Sequence, residues 1–134
     1  MRTLLATLIA AGALAFAPID TARADDPPEF MTETWPERAV SGAWEEYQAV
    51  FDPDGALDAK TKALIALAVS AKVPCEYCVY YHTASAKSHG ATDEQIIEAL
   101  ASGALVRKWS NQLQGTLYDM DEWRAKVDAM FTED

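Results

Sequence analysis

The sequence predicts an all-α fold, a compact helical domain of five to six helices. Three observations carry this. Apolar residues recur at three- and four-residue intervals along most of the chain after residue 36. Cap signatures built on Thr or Asp stand just before several of these stretches. No alternation of apolar and polar residues is long enough to read as a strand.

The first 24 residues are set apart from the fold. Arg2 gives a positive start, and Leu4 to Ala17 is an apolar run broken only by Thr and Gly. That run is shorter than the ~20 residues a membrane-spanning helix needs. The small-residue pattern Ala22-Arg23-Ala24 follows. Together these identify a secretory signal peptide with cleavage expected after Ala24. Residues 25–134 then form one domain in a periplasmic or secreted protein, with no membrane contact after cleavage. An oxidising compartment of that kind lets a cysteine pair stay oxidised.

Asp25 to Met31, with Pro27-Pro28, reads as an extended arm. Thr34-Trp35-Pro36-Glu37 has the form of a capping box, so a helix is expected from about Pro36 to Phe51. Val40, Ala43, Trp44, Tyr47 and Phe51 would make its apolar face. Asp52-Pro53-Asp54-Gly55 is a turn. Asp58 caps the next helix, which carries Leu64, Leu67, Ala68 and Ala71 on one stripe. Lys72-Val73-Pro74 ends it, because the residue before proline avoids the helical region. Cys75 opens a third helix reaching Ser88 or His89, and Gly90 supplies a left-handed end. Thr92-Asp93-Glu94-Gln95 is a second capping box, leading into Ile96, Ile97, Leu100 and Ala104. Leu105, Trp109, Leu113 and Leu117 continue that face. A last amphipathic helix carries Met120, Trp123, Val127 and Met130. The tryptophans on these faces read as core or subunit contacts rather than a ligand cage.

The chain has 134 residues, enough for one domain, and half of them are hydrophobic. Its formal net charge of -10 disfavours nucleic acid and anionic lipid as partners. Two cysteines cannot build a disulfide-rich scaffold or an all-cysteine zinc site.

The chemistry is concentrated in Cys75-Glu76-Tyr77-Cys78-Val79-Tyr80-Tyr81-His82, a C-x-x-C-x-x-x-H spacing. On a helix, cysteines three apart have Cα atoms close enough for a disulfide. A helix start also favours thiolate through its free N–H groups and its dipole. His82 lies one turn beyond Cys78 on the same face and can take the Cys78 proton. A reactive thiol, a base and a second thiol that captures an oxidised intermediate make up a thiol redox centre. Haem attachment would need histidine directly after Cys78, where Val79 stands. A thioredoxin-like site would need a strand before the pair. An inert disulfide, and a three-ligand metal site on Cys75, Cys78 and His82, remain alternatives. Tyr77 and Tyr81 flank the thiols as candidate substrate-adjacent residues. His89, beside Gly90, reads as a partner of the helix C-terminus.

Leu57-Asp58, Leu64 to Val69, the Cys75–His82 motif and His89 to Ile96 resemble the carboxymuconolactone decarboxylase family. More narrowly, they resemble its alkylhydroperoxidase D-like branch, over roughly Leu57 to Phe131. The resemblance implies an all-α homo-oligomer, a trimer or hexamer, working without a cofactor. It implies a thiol peroxidase in which Cys78 is the peroxidatic thiol, Cys75 the resolving thiol and His82 the base. The partners so implied are a hydroperoxide substrate and a thiol or other electron-donor protein. Two positions depart from the pattern. The relay glutamate expected twelve residues before the first cysteine is Ala63, and the histidine expected before the second is Tyr77. Both changes weaken the proton relay. The expected function is therefore an exported thiol–disulfide oxidoreductase with antioxidant, hydroperoxide-reducing activity of low turnover. The alternative is a non-catalytic oligomeric binding or structural protein held by a structural disulfide. N-terminal sequencing of exported material is expected to start at Asp25; an intact Met1 in the soluble cytoplasmic fraction would remove the oxidising context.

Overall fold

The computed structural model describes residues 26–132, so the signal segment lies outside the described residues. The chain divides between Trp44 and Glu45 into two units.

The first unit holds α1 (Glu29–Thr34) and the opening turns of α2 (Glu37–Val50). The expected extended arm is thus helical from Glu29. Pro28, in an extended conformation, stands as its N-cap and Glu29 places a carboxylate in the first turn. The Thr34 capping box does not form. Thr34 instead donates its hydroxyl back to the Phe30 carbonyl at 2.6 Å, closing α1 rather than opening α2. Met31 and Val40 are the buried side chains here.

The second unit contains the rest of α2, then α3 (Ala59–Lys72), α4 (Glu76–Ser88), α5 (Asp93–Gly115) and α6 (Met120–Phe131). The six helices, with no strand among the described residues, match the all-α expectation. The turn after α2 forms as read, with the Asp52 side chain accepting from Asp54 N–H at 2.9 Å. Asp58 caps α3 by accepting from Thr61 N–H at 2.9 Å. Thr92 and Gln95 complete a reciprocal capping box at the start of α5. Gly90, at φ 79°, makes the left-handed exit from α4.

α3 is the central helix and packs against both α4 and α5. Ala63, Leu67 and Ser70 are its buried residues, Ala86 is that of α4 and Ile96 that of α5. Small side chains let the axes approach. A Cβ on Gly103 would stand 3.4 Å from both the Ala68 Cβ and the Ala68 carbonyl oxygen, so α5 lies close on α3 there. Ser70 satisfies its buried hydroxyl by donating to the Ala66 carbonyl at 2.6 Å. α3 ends at Lys72 as expected, but Val73 keeps ψ at -2° instead of turning extended. Its N–H still donates to Val69, and the near-zero ψ lets the chain double back toward α4.

Beyond its contact with α3, the apolar face of α5 and α6 is open. Trp109 is 56 % exposed, and Leu105, Val106, Met120 and Met130 are exposed too. Trp109 and Trp123 are thus not core residues of this chain, although their spacing is helical. Periodicity identifies a face that should be covered but not what covers it.

Leu117 follows the end of α5 at φ 50° and is 89 % exposed. Urea unfolding should therefore separate two variants. Leu67→Ala is expected to cost about 2–5 kcal/mol, because Leu67 is fully buried. Leu117→Gly is expected to gain about 0.5 kcal/mol or more by relieving the left-handed backbone.

Candidate redox site

The turn between α3 and α4 is short, and its hydrogen bonds place the first cysteine. Cys75 N–H donates to the Ser70 carbonyl at 3.2 Å, and the Cys75 carbonyl accepts from Val79 N–H at 2.9 Å. Cys75 is therefore the N-cap of α4, which begins at Glu76. Its Sγ accepts from Cys78 N–H at 3.2 Å, doing what a Ser or Asp side chain does at other helix starts.

Cys75 and Cys78 are joined as a disulfide with Cα atoms 5.2 Å apart. Neither sulfur is then a thiolate ligand, so this form does not offer the three-ligand metal arrangement. Both cysteines are half-buried, whereas the neighbouring Tyr77 is 86 % exposed. On reduction, the N–H at the Cys75 sulfur and the dipole of α4 would both favour negative charge at that position.

His82 lies one turn past Cys78 on α4. Its ring stacks on Phe51, with centroids 5.6 Å apart and planes at 18°. Tyr81 meets it edge-on at 5.1 Å and 86°. Tyr47 stacks on Phe51 at 4.6 Å, and its hydroxyl lies 2.7 Å from that of Tyr81. Burial, together with this hydrogen bond, raises the Tyr47 pKa. Burial alone pushes the His82 pKa below 6.5, so the imidazole is mostly neutral at pH 7 and able to accept a proton. His82 Nδ1 is buried without a hydrogen-bond partner.

Ala63, the position where a relay carboxylate was expected, is 1 % exposed on α3. Its methyl group can neither hold the imidazole nor accept from it. The unpartnered Nδ1 agrees with that loss. His89 is the exposed C-cap of α4. It also lines an open groove of about 490 Å³ together with Tyr47, Phe51, Tyr81 and Ser85. Of the residues singled out by the motif, the structure thus groups Cys75 with Cys78, and His82 with Tyr81. Tyr77 points to solvent. Phe51 and Tyr47 were legible only as a helical face, and nothing local in the sequence places Phe51 against His82 or Tyr47 against Tyr81.

Residues 39–117 match the Carboxymuconolactone decarboxylase family. The chain belongs to this family. The match begins earlier than the resemblance read from the motif and ends before α6. The helical arrangement is similar to that of the alkylhydroperoxidase AhpD core from Rhodospirillum rubrum. The TM-score is 0.61 at 33 % identity, over 66 % of this chain and 65 % of that one. A protein from Methanobacterium thermoautotrophicum is also similar, with a TM-score of 0.54 and 26 % identity over 67 % of this chain and 99 % of that one. Uncharacterized protein 4 in the cox locus of Paracoccus denitrificans is 41 % identical over 69 residues, 52 % of this chain and 62 % of that protein. An uncharacterized protein of Cupriavidus necator is 40 % identical over 63 residues, 47 % of this chain and 56 % of that protein. The chain thus spans less than two thirds of the length of these two curated relatives. Its fold and its family are AhpD-like.

The depressed His82 pKa fixes the sign of a pH effect. Above the unfolded-state value near 6.5, both states are neutral and the contribution is flat. As pH falls through that value, the unfolded chain takes up the proton first, and stability drops until the folded-state pKa is reached. Urea midpoints are expected to fall between pH 7.5 and 5.5, and His82→Gln is expected to flatten that slope. An equal slope in His82→Gln would show that other groups cause it.

Proposed function

We propose that this member of the carboxymuconolactone decarboxylase family is an exported thiol–disulfide oxidoreductase that reduces hydroperoxides. The observation that carries the reading is the Cys75–Cys78 disulfide at the start of α4 with His82 one turn along. In the reduced protein, His82 takes the Cys78 proton, and the thiolate attacks one peroxide oxygen. The O–O bond breaks, an alcohol leaves with a proton, and Cys78 becomes a sulfenic acid. The Cys75 thiol then attacks that sulfur, the S–S bond forms and water leaves. The two electrons come from the two thiols, and a dithiol electron-donor protein restores them by exchange. The likeness in fold, at 33 % identity, to the alkylhydroperoxidase AhpD core from Rhodospirillum rubrum supports this reading.

The second reading, a non-catalytic oligomeric protein with a structural disulfide, is favoured by Ala63 and the unpartnered His82 Nδ1. General acid–base help is worth about 100- to 10,000-fold, so a weakened relay matters. One variant separates the two readings. In reduced Cys75→Ser, an organic hydroperoxide is expected to leave a sulfenic acid on Cys78 that dimedone captures. In reduced natural protein it is expected to give the disulfide instead. An unmodified Cys78 thiol in the variant would favour the structural role.

The same reading includes self-association. Leu105, Val106, Trp109, Met120 and Met130 leave an apolar surface on α5 and α6 that a homo-oligomer, trimer or hexamer, would cover. Light scattering at micromolar concentration is expected to give a multiple of the subunit mass, and a monomer would remove this part.

A further inference from the structure

We propose that Phe51, Tyr81 and Tyr47 form an aromatic clamp that positions His82, in place of a carboxylate partner. In this role they are positioning residues. Their effect on turnover rests on the peroxidase reading above; their effect on the imidazole does not.

The four rings close on themselves. Tyr47 stacks on Phe51, Phe51 stacks on His82, His82 meets the edge of Tyr81, and Tyr81 returns to Tyr47 at 6.2 Å. The 2.7 Å hydroxyl contact fastens that last link. Every ring therefore has two neighbours within the set, and moving any one of them disturbs two contacts. In many Cys–His centres the imidazole is held by a hydrogen bond from one ring nitrogen to a carboxylate or carbonyl. Here Nδ1 is buried and has no such bond, so ring packing is what sets the ring plane.

The charge state follows from the same walls. Burial is the cause of the His82 shift, and three charged side chains on the neighbouring segments have partners of their own. The Asp58 carboxylate binds Thr61, the Lys62 ammonium donates to the Asp52 carbonyl, and the Asp52 carboxylate accepts from Asp54 N–H. The titratable groups that belong to the clamp are the two phenols, bound to each other. Two effects then oppose one another at His82. Loss of water disfavours imidazolium. The ring faces attract it by a cation–π contact. The geometry favours the first, because a stacked ring covers the imidazole face and strips its hydration while the phenol pair supplies no negative charge. The clamp accordingly keeps the base unprotonated, where a carboxylate would hold it in place but raise its pKa.

The test is an imidazole titration by long-range 1H–15N NMR on the oxidised full chain. With two histidines in the protein, His89→Gln assigns the remaining signal to His82. The natural protein is expected to titrate below 6.5. Phe51→Leu and Tyr81→Leu keep apolar bulk but remove a wall, and each is expected to raise the His82 pKa by about half a unit or more. Tyr47→Phe keeps the stack and loses the hydroxyl tie, so a smaller rise with a broadened His82 signal is expected. The proposal is overturned if His82 titrates at or above 6.5 in the natural protein. It is also overturned if both leucine variants leave the value unchanged, or if the value falls, since cation–π attraction would then dominate. Circular dichroism identifies any variant that does not fold; Tyr47→Phe removes only one oxygen, and an unchanged His82 pKa and line width in that variant would also overturn the proposal. The hydroperoxide assay is separate. Absence of peroxide reduction with the expected titrations would sink the peroxidase reading and leave the clamp standing. Peroxide reduction with a titration unmoved by the variants would do the reverse.

Discussion

The contact between α3 and α4 is the constraint on which the rest of the site depends. α3 carries Ala63, Leu67 and Ser70 on its buried side, and α4 carries Ala86. With Ala63, Ser70 and Ala86 small among these buried residues, the two helices can lie close together and be joined by a turn of three residues, Val73 to Cys75. That turn delivers Cys75 to the first position of α4, and the pitch of α4 then places Cys78 and His82. α5 fixes α3 from another side, where Gly103 leaves room for Ala68. A larger residue at 63 or 103 would therefore act on the sulfurs through α3, without touching them.

Much of this was legible locally. Asp58, Thr92 and Gly90 mark helix ends because their backbone or side-chain chemistry satisfies groups a helix leaves unpaired. The C-x-x-C spacing already fixed a cysteine pair at a helix start. The misreadings have one physical origin, since local signals compete and distant ones are invisible. Thr34 can cap the next helix or bond back to its own, and the back bond to Phe30 won. The Pro27-Pro28 pair reads as extended chain, yet proline is well tolerated just before a first helical turn. Trp109 and Trp123, expected as core or subunit contacts, are exposed in a single chain, so only the core half of that expectation fails. Tyr47 and Phe51 obey a helical period, and only the fold brings Phe51 against His82 and Tyr47 against Tyr81.

Position 63 carries a methyl group, and the groups that pack on His82 are aromatic rings. Where a charged partner would orient the imidazole and also stabilise its protonated form, this chain offers neutral surfaces. Burial lowers the His82 pKa, so proton acceptance from a thiol is thermodynamically less favourable per event, while a larger fraction of the molecules is ready to accept at neutral pH. These tendencies oppose each other, and their balance distinguishes this site from one built around a carboxylate.

The sulfur of Cys75 both caps α4 and belongs to the bond that opens on reduction. Cap strength and oxidation state are consequently linked quantities. An anionic sulfur accepts from the Cys78 amide more strongly than a disulfide sulfur does. That one hydrogen bond thus strengthens when an electron pair leaves the sulfur anionic, offsetting part of what the first turn of α4 loses with the covalent tie. By reciprocity, whatever draws the Cys78 amide away from that sulfur removes the gain and makes the chain a poorer acceptor of electrons. Secondary structure and redox poise here are two readings of one thermodynamic cycle.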